Sequence, residues 1–259
     1  MYILAFETTG PICSVALLDL ENDGRVFMLN GDEPMSHLRD LTANARKLME
    51  DNGIKMGEIA AVASSIGPGS FTGIRIGVTT SRAVAQALSV PCVQVPTLEV
   101  FKEKVQGNIV APIFNARRGQ VYGAVFADER DVMPPGPYML EDVLGEIKKY
   151  CNLTEGEKNI VFYGDGIDAY MERLTLFKTE IEEAFNGSVK IDFSDASSRY
   201  QTADMVARFA KGKLERGETV SYEELLPDYM RKAEAEQKLE DGTLKKLREE
   251  KLARLLAGN

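Results

Sequence analysis

The densest grouping of residues that could do chemistry is the run Ile66-Gly67-Pro68-Gly69-Ser70-Phe71-Thr72-Gly73-Ile74-Arg75-Ile76-Gly77. Two glycines flank a proline between a small, apolar stretch and a helical pattern. Such a loop turns the chain sharply and aims backbone N–H groups outward at a helix start, an arrangement that binds anions. Ser70 or Thr72 can cap that helix. The Lys-Ser/Thr pair that completes a Walker loop is missing, so that motif is excluded and generic anion binding stays open.

Other candidates are sparser. Glu7-Thr8-Thr9 ends the first apolar run; a carboxylate beside hydroxyls can position a hydrated Mg²⁺, and it can equally be a strand-end turn whose hydroxyls bond backbone. Arg117 and Arg118 precede Gly119 in a turn, where they can grip phosphate or carboxylate or simply be solvated. His37 is the single histidine, and the position one helical turn on is Leu41, so a two-histidine metal site cannot form there. Cys13, Cys92 and Cys151 are odd in number and widely spaced, which suggests neither a disulfide framework nor a metal knuckle. Cys13 and Cys92 sit in apolar runs and read as small core residues.

The elements that must position these groups follow from periodicity. Strands are expected at 2–6, 12–20 and 25–30, the last two joined at Asn22-Asp23-Gly24. A helix over 36–52 carries Leu38, Leu41, Ala45, Leu48 and Met49 on one face and stops at Gly53. A strand at 59–66, the glycine loop, a helix at about 72–88, a strand at 91–95 and a short helix at 97–105 complete a first block. The pattern then restarts with strands at 109–115 and 121–127. A proline-rich loop at 134–137, a helix at 140–150, a strand at 160–163 and the turn Gly164-Asp165-Gly166 follow. Helices at 167–185 and 202–216 bracket a strand at 189–193. Two such blocks predict two related α/β halves that meet near Gly107.

The helix behind the glycine loop is informative in itself. Gly73, Gly77 and Ser81 recur every four residues and so share one face. Glycine inside a helix costs about 0.5–1 kcal/mol against alanine, so two of them imply a compensating close approach. That approach is either tight packing inside the domain or a helix–helix contact with another chain.

The 259 residues allow one large or two small domains, and 44% apolar residues suffice for an ordinary core. A net charge of -9, from 31 basic and 40 acidic residues, argues against broad nucleic-acid binding by the whole chain. The N-terminus lacks the pattern of a secretory signal, and no apolar stretch approaches the roughly 20 residues that cross a bilayer. A cytoplasmic protein with no membrane partner is expected.

The run 67–77 resembles the signature of the TsaB (YeaZ) family of bacterial tRNA threonylcarbamoyladenosine biosynthesis proteins. Three weaker matches keep the family's order: Ile3-Leu4-Ala5-Phe6-Glu7-Thr8-Thr9, Asn115-Ala116-Arg117-Arg118-Gly119-Gln120-Val121-Tyr122, and Pro227-Asp228-Tyr229-Met230-Arg231-Lys232-Ala233-Glu234-Ala235-Glu236. Glu7 stands where many members have Asp, Asn115 replaces an acidic residue, and 237–259 extends past the usual ending. That extension carries Leu244, Leu247, Leu252, Leu255 and Leu256 among charges and reads as an amphipathic helix.

The resemblance implies an α/β fold of two actin-like ATPase (RNase H-like) subdomains, each a mixed sheet flanked by helices. Domains are expected at 1–106, 107–217 and 218–259. The implied role is that of a non-catalytic subunit in placing the threonylcarbamoyl group on N6 of adenosine 37 of tRNA. The implied partners are a TsaD-like catalytic subunit, a TsaE-like ATPase, a second copy as homodimer, and tRNA through the complex. No intrinsic cofactor is implied; ATP and Mg²⁺ serve the assembled complex. Gly67, Pro68, Gly69, Ser70, Phe71, Thr72, Gly73, Arg75, Gly77 and Ser81 are then the expected partner-binding residues. Glu7, Thr8 and Thr9 fall where the superfamily holds the phosphates and Mg²⁺ of ATP; Arg117 and Arg118 are further candidates to bind nucleotide, and Gly164-Asp165-Gly166 can pass near an adenosine or be a plain turn. A free-standing ATPase or small-molecule kinase of the same fold is the alternative reading. A protease lacks any credible Cys–His or Ser–His pair.

Overall fold

A computed structural model of the chain describes residues 1–22, 24–31, 37–106, 108–128 and 130–230. The expected tail helix at 237–259, Gly107 at the expected boundary, and the side chain of His37 lie outside the described residues. Met1–Asp228 form one compact unit.

That unit contains two five-stranded sheets with the same plan. The first runs β3 (Val26–Asn30), β2 (Ser14–Asp19), β1 (Tyr2–Glu7), β4 (Ile59–Gly67), β5 (Cys92–Pro96). The second runs β8 (Arg130–Met139), β7 (Gln120–Ala127), β6 (Ile109–Asn115), β9 (Lys158–Tyr163), β10 (Val189–Phe193). In each, an antiparallel meander of three strands is extended by two parallel strands. Helices α1 (His37–Asp51), α2 (Phe71–Leu88), α3 (Leu140–Leu153), α4 (Gly166–Ala184) and α5 (Ala203–Glu215) connect and cover them. Parallel neighbours need such crossovers because a tight turn cannot reverse the chain twice. The mixed sheets flanked by helices are those of the expected fold class.

Two expectations are corrected. The proline-rich stretch 134–137 is not a loop; Pro134, Pro135 and Pro137 lie within β8. Proline lacks the ladder N–H, and β8 tolerates it because it is an edge strand. The expected 97–105 helix forms only a 3₁₀ turn over Glu99–Lys104.

Helix α5 also departs from the expected partition. It follows β10 in sequence but packs on β1, β2 and β5 of the first sheet. Ala203, Met205, Val206, Ala207 and Ala210 on its buried face join the first core with Ile3, Ala5, Ala16, Leu18 and Val93. The segment after it stays with the first sheet as well, since Val220 and Cys92 exchange both backbone hydrogen bonds at 2.9 Å. The second core is separate, built from Ile113, Val143, Ile147, Phe162, Leu174 and their neighbours.

Candidate functional site: the β1 turn and helix α2

β1 delivers Glu7, Thr8 and Thr9 to its C-terminal end, and all three are buried: Glu7 and Thr8 at 0% exposure and Thr9 at 4%. Glu7 accepts from the Thr9 amide at 2.5 Å, the Thr9 hydroxyl at 2.6 Å and the Gly10 amide at 3.3 Å. Its other oxygen accepts from the Ser65 hydroxyl on β4. Gln201, 194 residues on, donates to Thr9 Oγ1 at 2.8 Å and reaches Glu7 Oε1 at 3.5 Å. Burial pushes the Glu7 carboxyl pKa up, and the Ser65, Thr9 and Gly10 donors pull against that shift. Among the described residues, no positive side chain joins the cluster.

This geometry decides between the two readings of the turn. A carboxylate that holds Mg²⁺ or its water must present a free oxygen lone pair toward a cavity. Glu7 has no solvent-exposed surface, and both its oxygens already accept hydrogen bonds from the protein. The Thr8 hydroxyl is also committed, donating to the Gly73 carbonyl at 2.7 Å. These residues do not fit a bound Mg²⁺–nucleotide. Among the described residues, no group of three His, Cys, Asp or Glu side chains could hold a metal ion.

Arg117 and Arg118 stand elsewhere, exposed in the β6–β7 hairpin with φ of 65° and 56°. The Arg117 amide donates to Asn115 Oδ1 at 2.8 Å, and the Asn115 amide donates to Asp165 Oδ1 at 2.9 Å. Asp165 therefore ties the hairpin to the start of α4. Burial raises the pKa of this carboxyl.

The glycine loop packs on the same β1 turn. The Ser70 amide donates to the Thr9 carbonyl at 2.9 Å, and Ser70 Oγ caps α2 by accepting from the Gly73 amide at 3.2 Å. Gly69, at φ 152°, lies so close that a side-chain carbon there would come within 2.6 Å of Thr9 Cβ. The residues that share the glycine face are buried as well: Gly73, Gly77 and Ser81. A Cβ on Gly73 would overlap the Thr8 carbonyl oxygen, and one on Gly77 would overlap Thr8 Oγ1. Gly73, Gly77 and Ser81 thus face inward. The close approach that the glycines imply is between α2 and the protein's own β1, and these three cannot themselves touch a partner in this fold. Gly67 and Pro68 are buried too.

Phe71, Thr72 and Arg75 lie on the opposite flank of α2 and are exposed, as are Thr79, Ala83, Gln86 and Ala87. The Arg75 guanidinium stacks 4.2 Å above the Phe71 ring. α2 contains no acidic residue, in a chain with 40 of them. Sequence reasoning found the loop but missed Ser65, Gln201 and Ser14, whose Oγ accepts from the Ala203 amide at 2.8 Å. Ser65 and Ser14 had a local signal, each a polar residue inside an apolar strand; Gln201 had none.

Two five-stranded mixed sheets of one plan, flanked by helices, define a protein of the actin-like α/β class. The sequence model of the family described as "TsaD: tRNA N6-adenosine threonylcarbamoyltransferase" matches residues 34–239. The chain belongs to that family. Within it the chain is similar to the tRNA threonylcarbamoyladenosine biosynthesis protein TsaB of Bacillus subtilis, with 28% identity over 92% of this chain and 97% of that protein. The TsaB of Escherichia coli matches at 33% identity over 49% of this chain and 55% of its own length. Among solved structures, a Pseudomonas aeruginosa protein described as similar to peptidase YeaZ superposes with a TM-score of 0.68 at 26% identity, covering 89% of this chain and 99% of that one. The TsaB/YeaZ resemblance read from the motifs therefore holds. Among the described residues, no helix is long and apolar enough to cross a membrane.

Proposed function

We propose that this chain takes part in threonylcarbamoyladenosine synthesis on tRNA as a non-catalytic subunit, and that the outer flank of α2 docks a TsaD-like catalytic subunit. The similarity to TsaB proteins supports the pathway. The observation that carries the docking reading is the composition of that flank. An ordinary solvated helix face is charged, with both signs interspersed. Here Thr72, Thr79, Ala83 and Ala87 form an exposed stripe of small, uncharged residues, edged by the Phe71–Arg75 stack. Small residues let a partner helix approach closely, and an exposed aromatic beside arginine is the kind of anchor that interfaces favour.

The closed β1 turn supports the non-catalytic reading against a free-standing ATPase or kinase. Nucleotide in this account belongs to the assembled complex, with a TsaE-like ATPase, and tRNA is met through the complex.

Ala83→Arg tests the docking surface. The side chain points outward, so the melting temperature should stay within about 2 °C of the parent, as for most surface substitutions. Co-elution with the catalytic subunit should be lost. Undiminished co-elution of Ala83→Arg and of a Thr79→Arg companion would remove the α2 flank from the interface.

A further inference from the structure

The turn between β6 and β7 breaks the usual residue choice for its backbone. Arg117, Arg118 and Gly119 have φ of 65°, 56° and 77°. The Gln120 amide donates to the Arg117 carbonyl at 3.0 Å, which makes Arg118 and Gly119 the two central residues of a β-turn. Asn, Asp and Gly accept this left-handed backbone; arginine is strained in it. A local rule broken at two successive residues marks a position kept for something other than the fold.

The turn is also braced from two helices. Asn115 Oδ1 takes the Arg117 amide, and Asp165 Oδ1 at the start of α4 takes the Asn115 amide. The Gly119 carbonyl accepts from the Leu140 amide, the first residue of α3, at 3.0 Å. The Gln120 carbonyl accepts from the Tyr170 hydroxyl at 3.1 Å, and Tyr170 is where α4 leaves helical geometry, at φ -128° and ψ 22°. The backbone that carries both arginines is therefore fixed before any partner arrives. Arg117 and Arg118 are exposed, and among the described residues their guanidiniums join no ion pair or hydrogen bond. The amides of Arg118 and Gly119 also bond nothing among the described residues. Successive turn amides form a concavity for anionic oxygen, and the guanidinium fork matches phosphate. The acids at the start of α4 are engaged, Asp165 with the Asn115 amide and Asp168 with Arg199.

We propose that the Arg117 and Arg118 turn is where this chain contacts the phosphodiester backbone of tRNA within the assembled complex. The inference rests on the proposed place in tRNA modification and adds to it the residues that meet the RNA. A chain of net charge -9 repels a polyanion over most of its surface, so its contact with RNA must be local and preorganised. The braced turn, with two guanidiniums and two backbone amides, meets both conditions. Contacts of this kind position the nucleic acid without reading its sequence.

The double variant Arg117→Asn/Arg118→Asn isolates the site, because asparagine accepts left-handed backbone and carries no charge. It should melt about 2–4 °C above the parent and co-elute with the catalytic subunit as the parent does. Its assembled complex should bind a tRNA transcript roughly tenfold or more weakly at about 0.1 M salt. The slope of log affinity against log salt should become shallower by about 1.4–1.8, the share of two phosphate contacts. Arg117→Lys/Arg118→Lys keeps the charge and should keep the slope. Residues needed only for the turn would move stability and leave the slope alone. Equal affinity and slope in the asparagine variant and the parent overturn the proposal and leave the pathway reading standing. A parent complex that retains no tRNA overturns both. Lost co-elution with unchanged tRNA affinity in the complex that remains assigns the arginines to a partner's carboxylates and overturns the proposal. A loss confined to Mg-ATP binding assigns them to a nucleotide and overturns it as well.

Discussion

Replacing Gly77 by leucine should lower the melting temperature by roughly 6–12 °C, corresponding to a loss of about 3 kcal/mol. In a solvated helix the same change stabilises, because glycine is about 0.8–1.0 kcal/mol worse than alanine in a helix interior and leucine is close to alanine. Here the added carbon meets Thr8 Oγ1 at once, and Thr8 Cβ lies 3.4 Å and Ser64 Oγ 3.5 Å from it. Moving Thr8 also breaks its hydrogen bond to the Gly73 carbonyl. Helix α2 must then lift from β1, the central strand of the first sheet, and its neighbour β4. Circular dichroism melts of Gly77→Leu beside Ala83→Leu read the difference, since the second side chain enters solvent. A Gly77→Leu protein that melts like the parent and loses only its partner would mean that the glycine face is turned outward.

Glu7→Ala should cost about 3–5 kcal/mol, the other large effect. Alanine removes the acceptor for the Thr9 amide and hydroxyl, the Gly10 amide, the Ser65 hydroxyl and the Gln201 amide in one step. Each buried donor left unpaired costs about 1–3 kcal/mol, and local relaxation recovers part of the sum. Glu7→Gln keeps one carbonyl oxygen and should cost about 1–2 kcal/mol. The pH dependence has a definite sign. Burial raises the Glu7 pKa, so the folded state holds a proton that the unfolded state has already released. That contribution is present below the unfolded value and is lost as pH rises through the folded one. Glu7→Gln should therefore flatten the fall of stability with pH in that window. Denaturant midpoints at several pH values check this, and an unchanged slope would show that Glu7 stays ionised throughout.

The fold was legible where periodicity was strong. All ten strands but one lay close to apolar runs bounded by turn residues, and the repeat of the block order announced two related halves. β8 was hidden because its prolines mimic a loop; only its position at a sheet edge makes them tolerable. The destination of α5 was hidden for another reason. Its buried stripe of Ala203, Val206, Ala207 and Ala210 fits either sheet, and nothing local says that the chain returns to the first. At the candidate site the sequence identified the glycine face but could not orient it. Spacing puts Gly73, Gly77 and Ser81 on one side of a helix and leaves open which side meets the core. The answer lies in Thr8, 65 residues away from Gly73. The Glu7 cluster was half legible, since Gln201 reaches it across 194 residues.

The most direct test of the account is the nucleoside content of tRNA in cells from which every gene copy for this chain has been deleted. Digested tRNA analysed by mass spectrometry should lack threonylcarbamoyladenosine. The modification should return with the parent chain and fail to return with Ala83→Arg. Full levels of the nucleoside in the deletion strain would contradict the account.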